Sequence, residues 1–343
     1  MKRLALALKL LLNIKTKINE YVLTVISNNL VLVILFVVGL TVLVKGADWL
    51  VDGASDLAKR LGVSDLMIGL TVVAFGTSMP EFIVNMASVS TKATDLAITN
   101  VLGSNTINTM VILGCSALVF PIVAKKETVR FELPLNIIAG MIVFLWGWMN
   151  WAGETSRGIS RLEGGFLLLV FVVFLFYNIK SAKSEVADET VPRMPMWKCL
   201  LLVLIGLLSL VLGGELVVRS ATKIAQQAGI SESVIGLTIV ALGTSLPELA
   251  TSVMAAFKHN SDIAIGNVVG SNIFNVFFIL GTSALIRPLP AYEGVETDAF
   301  LVALSAALVW LLLVCSKKRT INHWGGALLL LVYAAYLYFR LGT

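Results

Sequence analysis

The chain has 343 residues, of which 57% are hydrophobic and only 14% charged. A soluble protein of this length carries about a quarter charged residues, so the composition excludes one and points to an integral membrane protein. The net charge of +5 rests on Lys and Arg placed mostly between apolar runs, which marks membrane orientation and headgroup anchoring, with no nucleic-acid partner.

Residues 1–27 read as an N-terminal extension. It has a basic start and an apolar stretch interrupted by Lys9, without a clear small-residue cleavage site. An interfacial amphipathic helix is the expectation there. Ten apolar spans follow, at about 28–58, 64–90, 94–121, 131–150, 161–180, 198–226, 230–257, 262–287, 298–315 and 322–340. In the first, Asp48, Asp52 and Asp56 share a helical face and read as a solvated helix end. Around the fourth, Trp146, Trp148 and Trp151 read as an interfacial belt. The polar segment 181–197, "SAKSEVADETVPRMPMW", is a linker with two prolines, and it separates five spans from five. The cysteines Cys115, Cys199 and Cys315 are far apart, with no CxxC, and imply neither a disulfide framework nor a metal centre.

Shifted by 167 residues, the chain aligns on itself without a gap. "GVSDLMIGLTVVAFGTSMPEF" at 62–82 lies on "GISESVIGLTIVALGTSLPEL" at 229–249, and 28 of the 57 positions in 62–118 are identical. Five spans per half is an odd number, so the second half enters the membrane upside down. The expected fold is an all-α integral membrane protein of ten transmembrane helices in two inverted five-helix repeats, 28–180 and 198–343. Lys and Arg are richer on the side holding Lys59–Arg60, Lys125–Lys126, the linker and Lys317–Arg319 once the extension is set aside. That bias puts a multi-pass protein in the cell membrane, with the linker in the cytoplasm and both termini outside.

The repeated segments carry the chemistry. Thr77 and Glu81 are spaced i, i+4, as are Thr244 and Glu248, so each pair shares a helix face. Pro80 and Pro247 remove a backbone donor, and Gly76 and Gly243 loosen the same turn. A helix broken this way leaves carbonyls that must line a site or bind a neighbour inside a membrane. The second motif repeats as "NVLGSNTIN" and "NVVGSNIFN", with Ser104 and Asn108 matched by Ser271 and Asn275, and with Gly103 and Gly270 permitting close helix approach. Asn100, Asn105, Asn267 and Asn272 add polar groups whose facing the spacing leaves open. The donor set is all oxygen, which suits hard cations. Glu81 and Glu248 bring a charge of −2 when ionised, which one Ca²⁺ or two Na⁺ would neutralise. One pocket that opens alternately to each side is then enough for exchange.

On "GTSMPE", "GTSLPE" and the two "GSN" motifs, the sequence resembles the calcium/cation antiporter superfamily, and within it a prokaryotic-type sodium/calcium exchanger. The resemblance implies a secondary antiporter, not an enzyme, that extrudes Ca²⁺ against Na⁺ and needs no cofactor beyond its transported ions. It implies a cluster of cation sites between the second, third, seventh and eighth helices. Glu81 and Glu248 would be shared carboxylates, and Thr77, Ser78, Thr244 and Ser245 would supply hydroxyl or backbone oxygens. The carbonyls of Ala74 and Ala241 would join them, and Ser104, Ser271, Asn108 and Asn275 would complete the cluster. The first and sixth helices would be the long tilted pair that slides during alternating access. In many relatives one of the positions held here by Asn108 and Asn275 is an aspartate, which leaves stoichiometry and potassium co-transport open.

Other readings compete. Paired glutamates also carry protons, so H⁺/Ca²⁺ exchange, or exchange of another divalent cation, fits the same fold. An intramembrane hydrolase would also use two acids, yet the chain has no GxGD, Ser–His pairing or HExxH. A passive channel would use a broken-helix site without counter-ion dependence.

Overall fold

The computed structural model describes residues 29–148, 157–182, 193–230, 239 and 241–342. The extension, Trp151 and residues 183–192 of the linker lie outside the described residues. The protein is all-α apart from four two-residue strands. In chain order the helices are α1 (Asn29–Leu61), α2 (Asp65–Thr77), α3 (Met79–Ser90), α4 (Thr94–Val119), α5 (Thr128–Trp148) and α6 (Arg161–Ala182). After the linker come α7 (Met196–Gln227), a short stretch Ala241–Gly243, α8 (Leu246–Phe257), α9 (Ser261–Ile286), α10 (Val295–Cys315) and α11 (His323–Gly342).

Among the described residues, seven helices are long and apolar enough to cross a membrane, or eight if the bent pair α2–α3 is one span. Residues 231–238 and 240 of the seventh expected span lie outside the described residues, and α8 has 12 residues. The apolar helix His323–Phe339, where the tenth was expected, falls just short of a spanning length.

The repeat reaches the backbone. α1 stops at Gly62 (φ 67°), whose N–H bonds to Lys59 O at 3.3 Å while Val63 N reaches Ala58 O at 3.0 Å. α7 ends the same way at Gly229 (φ 77°), with Gly229 N to Gln226 O at 3.1 Å and Ile230 N to Ala225 O at 3.1 Å. Both are left-handed caps that return the last carbonyls to the chain. Lys92 (φ 66°) and His259 (φ 58°), again 167 apart, close α3 and α8 with the same pair of bonds.

α1 and α7 are long neighbours in contact along their length. As the chain climbs from Gly39 through Gly46 to Gly53, the contacted residues fall from Leu216 through Ser209 to Leu202, so the two helices that head the halves run antiparallel. A Cβ on Gly206 would lie 2.8 Å from the Leu50 nitrogen, so only glycine admits this approach. The strands cross between the halves as well. β1 (Ile122–Val123) pairs antiparallel with β4 (Thr320–Ile321), and β2 (Gly158–Ile159) with β3 (Leu289–Pro290).

α9 lies at the centre, with 94% of its apolar window buried, followed by α4 at 78%, against 28% for α1. The interior that α4 and α9 share is therefore where both "GSN" motifs sit. A Cβ on Gly270 would stand 2.7 Å from Leu70 O and 2.8 Å from Ala74 Cβ, so α9 is seated against α2. For Gly103 the equivalent neighbours are 237 and 241, beyond the side chains described.

The acidic face of α1 is solvated only in part, at Asp52. Asp48 and Asp52 pair with Lys258 at 2.5 and 2.8 Å, from the turn after α8. Asp56 is buried and accepts the backbone N–H groups of Arg193 and Met194 at 2.9 and 2.7 Å. The three share one face, and beside Lys45 and Lys59 of the same helix they find partners in the second half and the linker. Trp148 is exposed on the surface as expected, whereas Trp146 is packed against the core.

Candidate functional site

The break in each repeated segment falls at the motif. α2 ends at Thr77, Ser78 sits at φ −83°, ψ 7°, and α3 leaves at a bend of 45°. In the second copy the break is at Thr244–Ser245, with Ser245 at φ −87°, ψ 5°. Pro80 and Pro247 stand in the first turn of the new helix, where the missing N–H has no helical acceptor to serve. The prolines therefore start helices and do not strip bonds from their middles. The Ala74 carbonyl keeps its helical bond from Ser78 N at 3.0 Å, so the break does not free it. Glu81 and Glu248 consequently occupy the first turns of α3 and α8, the electropositive end of each half-helix.

Both glutamates are fully buried, and their partners cross between the halves. Glu81 Oε1 accepts Ser104 Oγ of its own half at 3.4 Å and Ser245 Oγ of the other at 3.3 Å. Glu248 Oε1 accepts Ser271 Oγ at 3.4 Å and Ser78 Oγ at 2.8 Å. Thr77 donates to Asn267 Oδ1 at 3.0 Å. Thr244 is half-buried at its break, and Ala241 opens the short helical stretch before it.

Among the buried oxygens that receive no hydrogen bond in the described residues, four belong to the repeated motifs: Glu81 Oε2, Glu248 Oε2, Asn108 Oδ1 and Asn275 Oδ1. They form two pairs related by the repeat. Leaving one such acceptor bare costs about 1–3 kcal/mol, and native proteins seldom keep four together without a ligand to receive. Four acceptors with no donor among them make an oxygen-rich set of the kind that suits a hard cation. Among the described residues no three His, Cys, Asp or Glu converge, so the set is oxygen-rich and hard. The chain distorts at the same places. α4 turns π-helical at Asn108–Ile112 and α9 at Phe274–Leu280, so Asn108 and Asn275 lie in the first turn of each widened stretch.

Sequence spacing left the other asparagines open. Asn100 and Asn267 tie down the backbone beneath the acids: their amide nitrogens donate to Glu81 O at 3.4 Å and Glu248 O at 3.3 Å. Each is fixed in turn by the helix it faces, Asn100 by Asn85 Oδ1 at 2.8 Å and Asn267 by Ser252 Oγ at 2.9 Å. Equivalent placement in the repeat was the available signal for them. Asn85 and Ser252 differ in type between the halves and gave none. A cavity of about 580 Å³ lies beside the α2 break, lined by Phe75, Met79, Leu204, Leu207 and other apolar side chains, and it has no donor set for an ion.

A sequence model of the family described as "Sodium/calcium exchanger protein" matches residues 31–180 and 198–342. The putative antiporter CaxA of Alkalimonas amylolytica is 36% identical over 320 residues, covering 90% of this chain and 98% of that protein. The inner membrane protein YrbG of Escherichia coli is 36% identical over 318 residues, covering 89% and 96%. A solved structure of the sodium-calcium exchanger NCX_Mj, soaked with Na⁺ and Sr²⁺, superposes with a TM-score of 0.77 at 32% identity, covering 91% of this chain and 99% of that one.

Proposed function

The chain belongs to the sodium/calcium exchanger protein family, and on that premise we propose that it is a secondary antiporter exchanging Ca²⁺ for Na⁺ by alternating access. The observation that carries the reading is the set of four buried oxygens without donors, two of them carboxylate, in two repeat-related pairs. Two ionised glutamates supply −2, which one Ca²⁺ or two Na⁺ balance. Asn108 and Asn275 add dipoles and no charge. The two ions thus compete for one set of oxygens, and competition within one cavity is the coupling.

Thr77, Ser78, Thr244, Ser245, Ser104, Ser271 and the carbonyls of Ala74 and Ala241 complete the ligand set in this proposal. The architecture is ten spans in two inverted halves, 28–180 and 198–343, joined by the cytoplasmic linker 181–197, with both termini outside. The antiparallel run of α1 and α7 and the crossed strand pairs support it. The glycine-lined contact of α1 and α7 suits a pair that slides as a unit across the fixed site.

Proteoliposomes loaded with Na⁺ and diluted into Na⁺-free buffer containing labelled Ca²⁺ test the reading. Uptake is expected to need internal Na⁺ and to ignore an imposed pH gradient. Uptake driven by the pH gradient alone would make the glutamates proton carriers and the protein an H⁺/Ca²⁺ exchanger. Non-saturable flux indifferent to either counter-ion would make it a channel.

A further inference from the structure

Asn108 and Asn275 can face a cation only if their oxygens, and not their amide nitrogens, point into the site. A carboxamide is nearly symmetric in shape, so something must choose. Two backbone carbonyls make the choice. Asn105 Nδ2 donates to the main-chain oxygen of Asn272 at 3.1 Å. A carbonyl only accepts, so Asn105 must present its nitrogen there and its oxygen on the other side. That oxygen accepts Asn275 Nδ2 at 2.9 Å, which turns Asn275 Oδ1 away from it and leaves it without a donor.

The second copy reaches the same result through one more residue. Thr109 Oγ1 donates to the main-chain oxygen of Asn105 at 2.8 Å, so its single proton is committed. Asn272 must then offer Nδ2 to that hydroxyl, at 2.8 Å. Its own Oδ1 accepts Asn108 Nδ2 at 3.2 Å, and Asn108 Oδ1 is left bare. Every side chain in this chain of bonds is buried. The position equivalent to Thr109 is Val276, so the threonine relay exists on one side only.

We propose that Asn105, Asn272 and Thr109 are positioning residues, crossed between the halves: Asn105 aims Asn275, and Asn272 with Thr109 aims Asn108. None of the three donates or accepts at the ion in this scheme. The proposal rests on the cation-site reading above. It assigns a function to the third residue of each "GSN" motif, which the ligand set does not use.

The test is a set of four double-mutant cycles read on the KM for Ca²⁺ in the proteoliposome assay, with Ca²⁺-dependent thermal stabilisation of purified protein as a second readout. Thr109→Val keeps the side-chain shape and copies the residue of the other half. It is expected to raise KM about five- to tenfold with turnover at saturating Ca²⁺ within about twofold. Combined with Asn108→Ala it should add nothing beyond Asn108→Ala alone, because its effect runs through Asn108. Combined with Asn275→Ala the two effects should multiply. Asn105→Ala should show the mirror pattern, coupled to Asn275→Ala and independent of Asn108→Ala, although residue 108 is three positions away on the same helix. Effects that multiply in all four combinations, or an unchanged KM in Thr109→Val, would overturn the proposal. A wild-type protein with no Ca²⁺-dependent uptake and no Ca²⁺-dependent stabilisation would instead refute the functional reading, and this inference with it.

Discussion

Glu81 and Glu248 each hold one oxygen on two serine hydroxyls and leave the other bare. Glu81→Gln or Glu248→Gln swaps the carboxylate for an amide of the same shape and removes half the charge. Each is expected to lower Ca²⁺ uptake by about 100-fold or more, roughly 2.7 kcal/mol, in protein that still elutes as a single species. Normal uptake by either variant would remove the glutamates from the ion path. The serines should not be equal. Ser78 reaches Glu248 at 2.8 Å, whereas Ser245 reaches Glu81 at 3.3 Å. A short bond to a carboxylate is the stronger one, so Ser78→Ala should raise the KM for Ca²⁺ about tenfold and Ser245→Ala only about two- to threefold. Equal effects in a titration of uptake against Ca²⁺ would mean that the site is more symmetric than these distances. At this scale the sequence picked out the buried acids and asparagines of the repeat but not their partners. Serine at 78 reads as a neighbour of Glu81, three positions away, and it bonds instead to Glu248.

Hydropathy located the helices well because a bilayer allows few alternatives to a long apolar helix. It located their interruptions less well. The period of the repeated segments is unbroken through Ser78 and through Asn108, yet the backbone bends at one and widens to a π-turn at the other. Near the bend, α9 is seated closely on α2. Gly270→Ala puts a Cβ at 2.7 Å from Leu70 O, and neither backbone can withdraw without moving the site. It is expected to lower stability by about 1–3 kcal/mol, read as a fall in the melting temperature of purified protein. Gly165→Ala, whose nearest neighbour would be a Leu285 methyl at 4.0 Å, should melt like the parent. Equal melting of the two would show that α9 has room to shift.

The inverted architecture is testable with two equivalent residues. Lys92 and His259 are 167 apart, exposed, and hold the same left-handed turn at the ends of α3 and α8. In a background with Cys115, Cys199 and Cys315 changed to Ser, Lys92→Cys and His259→Cys are expected to react with a membrane-impermeant maleimide from opposite faces. Lys92→Cys should label from outside and His259→Cys only after the membrane is opened. Labelling of both from one face would reject the inverted repeat, whatever ion the protein carries. The salt links of Lys258 to Asp48 and Asp52 belong to this scale too. They join the first helix of one half to the turn after α8 of the other, a relation that no spacing along the chain expresses.

Membrane class, the doubling of the chain and the pair of acids were decided by the sequence alone. They depend on composition and on self-alignment, which need no third dimension. The crossed partnership was decided by the tertiary structure: which serine meets which glutamate, which way each asparagine turns, and which motif oxygens are left without a donor. These contacts bring residues about 160 to 170 positions apart within 3 Å or so of each other. The repeat announces that such residues are equivalent. Only the packed interior determines that equivalent residues exchange partners, because a side chain's direction across an antiparallel pair follows from where both backbones lie.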